Sequence, residues 1–307
     1  MHHHGHRHGH HHGDLSLVGE RRLWWAVLAN MLLTVAQVIG GLFSGSLSLI
    51  ADAFHNLSDA ASLLIALIAI RIGRKPPDHF KTFGYKRAET IAALINLTTL
   101  VLIGLYLIIE AFHRFYDPQP IGGWIVIIVA AIALVIDIFT AVLTYSQSKS
   151  SMNIRAAFLH NVADALASIG VIVAGTLILL YNMIWVDAAM TLLISAYILW
   201  QGFSAMPQVI HLLMEGTPPH IDLGEITKAI ENYDLVKNVH HIHVWQIDEQ
   251  INALEAHIVI DNTHIHVIEK LKSAIKSMLA EDYAIGHSTL EFELQQYLDP
   301  NREYPYP

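Results

Sequence analysis

Long apolar runs alternate with short polar breaks between positions 22 and 206, and six of the runs approach the roughly 20 residues a helix needs to cross about 30 Å of hydrocarbon. The pattern predicts spans at about 22–43, 47–72, 89–113, 122–146, 156–180 and 185–206. Gly45, the Pro76-Pro77 pair, Pro118 and Pro120, the polar run SQSKSS, the short YNM link and Pro207 mark the breaks. Lys and Arg in the short loops fall on one side: Arg21 and Arg22, six residues from Arg71 to Arg87, then Lys149 and Arg155, with only Arg114 opposite. By the preference of basic loops for the cytoplasmic face, both termini are expected to be cytoplasmic, the second span running inward and the fifth outward.

After Pro218-Pro219 the pattern changes to that of a small soluble domain. Helical periodicity in DLGEITKAIENY is followed by alternating strands in HIHVWQI and ALEAHIVI, an amphipathic helix in IHVIEKLKSAIKSMLA and a last strand in HSTLEFELQ. The order αββαβ predicts a two-layer α+β domain of about 80 residues, small enough that dimerisation would help complete its core. The expected fold class is a polytopic α-helical membrane protein with six transmembrane helices and a C-terminal cytoplasmic α+β domain. Its divisions are expected at 1–20 (a disordered histidine-rich arm), 21–207 (membrane), 208–297 (cytoplasmic) and 298–307 (tail).

Composition supports the membrane assignment and narrows the chemistry. In 307 residues, 53% are hydrophobic and 15% charged, and the mean hydropathy is +0.42, outside the range of an ordinary soluble protein. The net charge of -9 averages an acidic region after Pro218 with the basic stretch from Arg71 to Arg87, so nucleic-acid binding is not expected. With no cysteine, a metal must be held by histidine, carboxylate, carbonyl or water, and 21 histidines are available. The first twelve residues, MHHHGHRHGHHH, have no apolar material for a core and no secretory-signal pattern, so this arm is expected to be retained and to bind borderline divalent metals weakly.

The informative feature is a motif that occurs twice inside apolar spans. His-Asn-x-x-Asp runs from His55 to Asp59 in the second span and from His160 to Asp164 in the fifth. The i, i+4 spacing puts His and Asp on one helical face, and two such faces supply two imidazoles and two carboxylates, a complete tetrahedral shell for zinc. Each Asp near mid-bilayer costs on the order of 2.5–3.5 kcal/mol on insertion scales, and a bound dication compensates two of them. Copies three spans apart run in opposite directions across the membrane, as in inverted-repeat transporters. Lone polar residues such as Asn30, Gln37, Asn96 and Asn161 are read as interhelical hydrogen-bonding groups instead.

The segments SGSLSLIADAFHNLSDAASLL, TFGYKRAE, NIRAAFLHNVADALAS, WVDAAMTLLIS, LLMEGTP and HHIHVW together resemble the cation diffusion facilitator family, in particular its zinc-exporting bacterial branch, from about Leu23 to Glu293. The resemblance implies six membrane helices, a cytoplasmic ferredoxin-like domain, a homodimer, and export of divalent metal in exchange for protons. It places the transport site on His55, Asp59, His160 and Asp164, with His at the first position accompanying preference for zinc over cadmium. In the loop RKPPDHFKTFGYKRAE, Asp78 matches a second site of some members, but Lys81 and Tyr85 stand where histidines would be needed; no stable site is expected there, with His79 a weak entry contact. In the cytoplasmic domain the resemblance points to zinc between subunits at His240, His257 and Glu293. Glu291 and His287 lie on the same last strand, Glu291 sharing the face of Glu293, and His243 follows in HHIHVW. His264 and His266 match no family ligand.

Among the other membrane-embedded polar groups, Asp52 and Asp137 are expected to support the site, Asp187 to sit as a carboxylate at the start of the sixth span, and Trp24 and Trp25 to anchor at the interface. No Gly-x-x-x-x-Gly-Lys-Ser/Thr loop is present, so no nucleotide is expected. Zn²⁺ is the expected substrate and a regulatory ion of the cytoplasmic domain, and a bacterial inner membrane the expected location. Two rivals are an intramembrane metalloenzyme, which lacks His-Glu-x-x-His and an open ligand position, and a membrane-anchored metal sensor, which leaves the intramembrane ligands unexplained.

Overall fold

The computed structural model describes residues 17–145, 152–248, 251–261 and 265–294. The histidine-rich arm before Leu17 and the tail after Leu294 lie outside them, as do His264 and the side chains of Trp24, Trp25, Asn30 and His266. The chain divides into two compact units, Met1–Leu63 with Thr99–Gln201, and Leu64–Thr98 with Gly202–Pro307.

Six long helices come first: α1 (Leu17–Ser44), α2 (Leu47–Gly73), α3 (Ala88–Tyr116), α4 (Gly123–Tyr145), α5 (Met152–Tyr181) and α6 (Trp185–Leu213). Ala88–Tyr116, Gly123–Val142, Phe158–Tyr181 and Trp185–Leu213 are each long and apolar enough to cross a membrane, and Met31–Ser44 is a shorter apolar helix. The first half of α2 is made polar by Asp52, His55, Asn56 and Asp59. Two ends depart furthest from the sequence pattern. Helix α1 starts at Leu17, inside the segment read as a disordered arm, because Leu17, Val18 and an early Glu20 already suit a first helical turn. Helix α6 runs through Pro207 to Leu213 rather than stopping before it. Proline removes one ladder hydrogen bond, a loss that a helix extending on both sides can absorb.

In the first unit, the turn from α1 to α2 depends on Gly45, whose φ of +73° suits glycine and whose added Cβ would stand 2.8 Å from the Pro120 carbonyl oxygen. Arg114 donates to the Gly45 carbonyl. The start of α2 is held by Asp187, which does more than occupy the first turn of its own helix. Its carboxylate accepts from the backbone N–H of Leu47 (2.7 Å) and Ser48 (3.3 Å) and from the hydroxyls of Ser46 and Ser48 (2.6 Å each). Asp187 is 1% exposed, so none of these bonds can be replaced by water without rearrangement. Asp187→Ala should therefore destabilise the protein by about 2–4 kcal/mol. The check is the melting midpoint in detergent beside Asp187→Asn, which keeps one acceptor; an unchanged midpoint in the alanine variant would show that the cap contributes nothing. Helices α4 and α5 approach through Gly123 and Gly175: a Cβ on Gly175 would meet Ile127 at 3.0 Å and Val126 at 3.1 Å.

In the second unit, α7 (Leu223–Glu231), β1 (Val236–Gln246), β2 (Asn252–Ile260), α8 (Ile265–Asp282) and β3 (His287–Leu294) follow the predicted order. Asp222 caps α7, accepting from Gly224 and Glu225. The sheet order is β1-β2-β3, β1 antiparallel to β2 and β2 parallel to β3, the parallel pair being joined by the crossover helix α8. Ile226, Ile230, Leu254, Ile258, Ile275 and Leu279 form a core between the helices and one sheet face. The sheet with two helices over one face is the ferredoxin-like arrangement. Strand β1 begins at Val236, earlier than the alternation starting at His241 suggests, because a bulge interrupts the period. In the same unit the loop residues Lys86 and Arg87 pair with Asp248 (3.0 Å) and Glu215 (2.9 Å).

Candidate metal centre

Helices α2 and α5 bring His55, Asp59, His160 and Asp164 together. Asp59 Oδ2 lies 3.1 Å from His160 Nε2 and 3.7 Å from His55 Nε2. Asp164 lies 3.3 Å from His55 Nε2 through Oδ1 and 3.4 Å from His160 Nε2 through Oδ2. Each carboxylate thus stands between two imidazoles, one from its own helix and one from the other. The His rings are 5.5 Å apart and inclined at 69°. His55 is 3% exposed, and neither ring nitrogen has a hydrogen-bond partner among the described residues, although Asp164 is near. Buried imidazole nitrogens ordinarily find a partner, and here Nε2 faces the carboxylates of Asp59 and Asp164 without a hydrogen bond to either, a geometry in which it could hold a metal ion. Side-chain exposure is 29% for Asp59 and 30% for His160, against 4% for His55 and 9% for Asp164, so the cluster opens on the Asp59–His160 side.

A second layer surrounds the four. Gln37 of α1 donates to Asp52 at 2.5 Å and accepts from Asn56 at 3.0 Å, which fixes the faces of α2 flanking His55. Asp137 of α4 accepts from Ser168 of α5 at 3.0 Å. Tyr197 of α6 sets its ring edge-on to His55, centroids 5.8 Å apart. The sequence reading left out Ser168 and Tyr197. Ser168 could have been found, since it is one turn past Asp164; Tyr197 could not, because nothing in the spacing of α6 relates it to α2.

On the cytoplasmic sheet, register places His240 opposite His257 and His257 opposite Glu291. Glu293, two residues on and so on the same face, accepts from His257 Nδ1 at 2.8 Å and from His240 Nε2 at 3.0 Å. Burial alone would raise the Glu293 carboxyl, but the hydrogen bonds from His257 and His240 outweigh it and hold the group below the ordinary carboxylate range. Glu291 reaches His257 Nε2 at 3.5 Å. Two imidazoles and a carboxylate with ligand atoms within 4.8 Å of one another suit a zinc-type ion by donor chemistry. His287 is not in this group: it pairs with Ala253 at the other end of β3, and its ring meets Phe83 at 5.8 Å.

In the loop between α2 and α3, Asp78 is occupied by the chain's own donors: the Tyr85 hydroxyl at 2.6 Å and the N–H groups of Phe80 and Lys81 at 2.8 Å. The Tyr85 hydrogen bond first, then those of Lys81 and Phe80, hold its carboxyl below the usual range. His79 is exposed beside it.

Known proteins match the chain along nearly its whole length. Residues 23–214 match the cation efflux transmembrane domain, and residues 218–294 match the cytoplasmic domain of cation efflux proteins. The chain is 37% identical over 270 residues to a cadmium, cobalt and zinc/H(+)-K(+) antiporter of Bacillus subtilis, covering 87% of this chain and 86% of that one. It is 38% identical over 279 residues to the zinc transporter ZitB of Pectobacterium atrosepticum, covering 90% and 86%. The solved metal-bound C-terminal domain of the CzcD transporter from Cupriavidus metallidurans is 35% identical, covers 24% of this chain and 100% of that one, and superposes with a TM-score of 0.22. The family and these relatives are transporters rather than enzymes. With both of its domain models matched in order, the chain belongs to the cation efflux, or cation diffusion facilitator, family.

Proposed function

We propose that the chain exports Zn²⁺ from the cytoplasm in exchange for protons by alternating access, binding the ion between His55 and Asp59 of α2 and His160 and Asp164 of α5. The observation that carries this is the convergence of two carboxylates and a second imidazole on the buried His55 imidazole, whose nitrogens have no hydrogen-bond partner among the described residues. Two ionised carboxylates and two neutral imidazoles match the charge and coordination number of Zn²⁺. The same atoms must lose protons to bind metal, so metal and protons compete for one site, which is the coupling an antiporter needs. The relatives named as a zinc/H(+)-K(+) antiporter and as a zinc transporter support this substrate and this exchange.

The working form is a homodimer in the bacterial inner membrane, with both termini cytoplasmic, a membrane domain over about 21–207 and a cytoplasmic domain over about 208–297. His240, His257 and Glu293, with Glu291 beside them, would hold Zn²⁺ in the cytoplasmic domain and link ion level to dimer geometry. A membrane-anchored sensor would share that cluster, but it has no use for ligands inside α2 and α5. The test is zinc uptake into vesicles reconstituted with the purified protein. Uptake should follow an imposed pH gradient and stop on adding a protonophore; uptake indifferent to the gradient would sink the exchange.

A further inference from the structure

Strand β1 does not keep a simple alternation. Val239, Ile242 and Val244 all belong to the helix-covered core, although an unbroken strand would put positions 239 and 242 on opposite faces. A register shift between His240 and His243 resolves the conflict by fitting an extra residue into β1, and His241 takes a φ of +51°. Residues with side chains rarely adopt that backbone region, and strain of this kind gathers where it serves a site. The bulge turns His241 onto the face of His240 and His243. Its ring lies edge-on to His243, with centroids 4.7 Å apart, and against His257 at 4.9 Å. Across the ladder, Glu255 pairs with His243.

We infer that His241, His243 and Glu255 form a second divalent-cation site on this sheet, separate from the cluster at His240, His257 and Glu293. One ligand atom from each lies within 4.8 Å of the others. Small side-chain rotations bring such atoms to the roughly 3.3–3.6 Å separations of a shell with bonds of about 2.0–2.2 Å. Two imidazoles and one carboxylate, with water in the fourth position, favour a borderline ion such as Zn²⁺ or Co²⁺ over Ca²⁺ or Mg²⁺, which take mostly oxygen. A cavity of about 810 Å³, lined by His243, Glu255, His287 and Thr289 among others, gives an ion access to two of the three residues. Because His241 touches His257, a second dication meets the charge of one already bound nearby. The second site therefore fills at higher zinc than the first, which gives the cytoplasmic domain a graded rather than a single-step response.

The inference goes beyond the transport reading and does not require it; the existence of the second site is independent of the cluster at His240, His257 and Glu293, and only its order of filling depends on that cluster. It is tested by counting ions on the full-length protein in detergent during Zn²⁺ titration, using native mass spectrometry and calorimetry. Wild type should bind one ion per chain more than Glu255→Gln, the missing step being the weaker cytoplasmic one, and Glu293→Gln should keep that step. His243→Ala should lose the same step, and Glu255→Gln, which preserves shape, carries the test if the alanine variant melts early. Equal counts in wild type and Glu255→Gln, or loss of the weak step in Glu293→Gln as well, would overturn the second site. Ions at α2 and α5 contribute alike to every variant, so the difference stays readable even if the transport reading fails.

Discussion

Asp164→Ala should lower proton-driven zinc uptake into reconstituted vesicles by about a hundredfold or more, since even groups that only support a metal ligand are worth ten to a hundredfold. Asp164 approaches the two imidazoles through different oxygens, at 3.3 Å and 3.4 Å, where Asp59 uses one oxygen for both. Its loss leaves three candidate ligands, only one of them a carboxylate, so a dication at the site would keep a net charge in an apolar surrounding. The fold should survive, because alanine is a good helix former and Asp164 makes no cap or turn. Uptake and melting should therefore separate, with transport lost and the melting midpoint close to wild type. A folded Asp164→Ala protein that still moves zinc down a proton gradient would refute the site.

His55→Asp should change selectivity more than rate, with zinc uptake persisting and cadmium uptake appearing or rising. The substitution takes the ligands' formal charge from -2 to -3 and leaves His160 as the sole nitrogen donor. It also shortens the ligand arm by about one bond beside the ring of Tyr197, opening room for an ion larger than zinc. The quantity to measure is the Cd²⁺/Zn²⁺ uptake ratio at fixed pH, since a third carboxylate also alters competition with protons. If the ratio stays constant while zinc transport is intact, His55 is not a ligand and the four-residue shell must be abandoned.

Much of the membrane part was legible because its chemistry repeats at helical spacing. His55 and Asp59, like His160 and Asp164, share a face on any straight helix, so the meeting of α2 and α5 required only that the two faces turn together. Asp187 was legible as a carboxylate at a helix start, yet its partners are on another helix, and no local pattern carries that information. Pro207 misled because a proline that ends a short helix is only a local interruption in a long one. On the cytoplasmic sheet, the common face of Glu291 and Glu293 followed from alternation. The role of His241 did not, since the bulge that turns it breaks the period by which strands are read. His287 shares strand and parity with Glu293 but lies too far along β3 to join it, a distance that parity alone does not express.

The carboxylate that closes the start of α2 belongs to the last of the six long helices, 140 residues later in the chain. A ribosome adding about 5–20 residues per second needs roughly 7–28 s to cover that interval. For most of it, once α2 is complete at Gly73, the growing chain has the helix bearing His55 and Asp59 but not the acceptor for the N–H of Leu47 and the hydroxyls of Ser46 and Ser48. Fastening of this helix is thus a late event in biogenesis, and a chain cut short before residue 187 has His55 and Asp59 with the helix start left open.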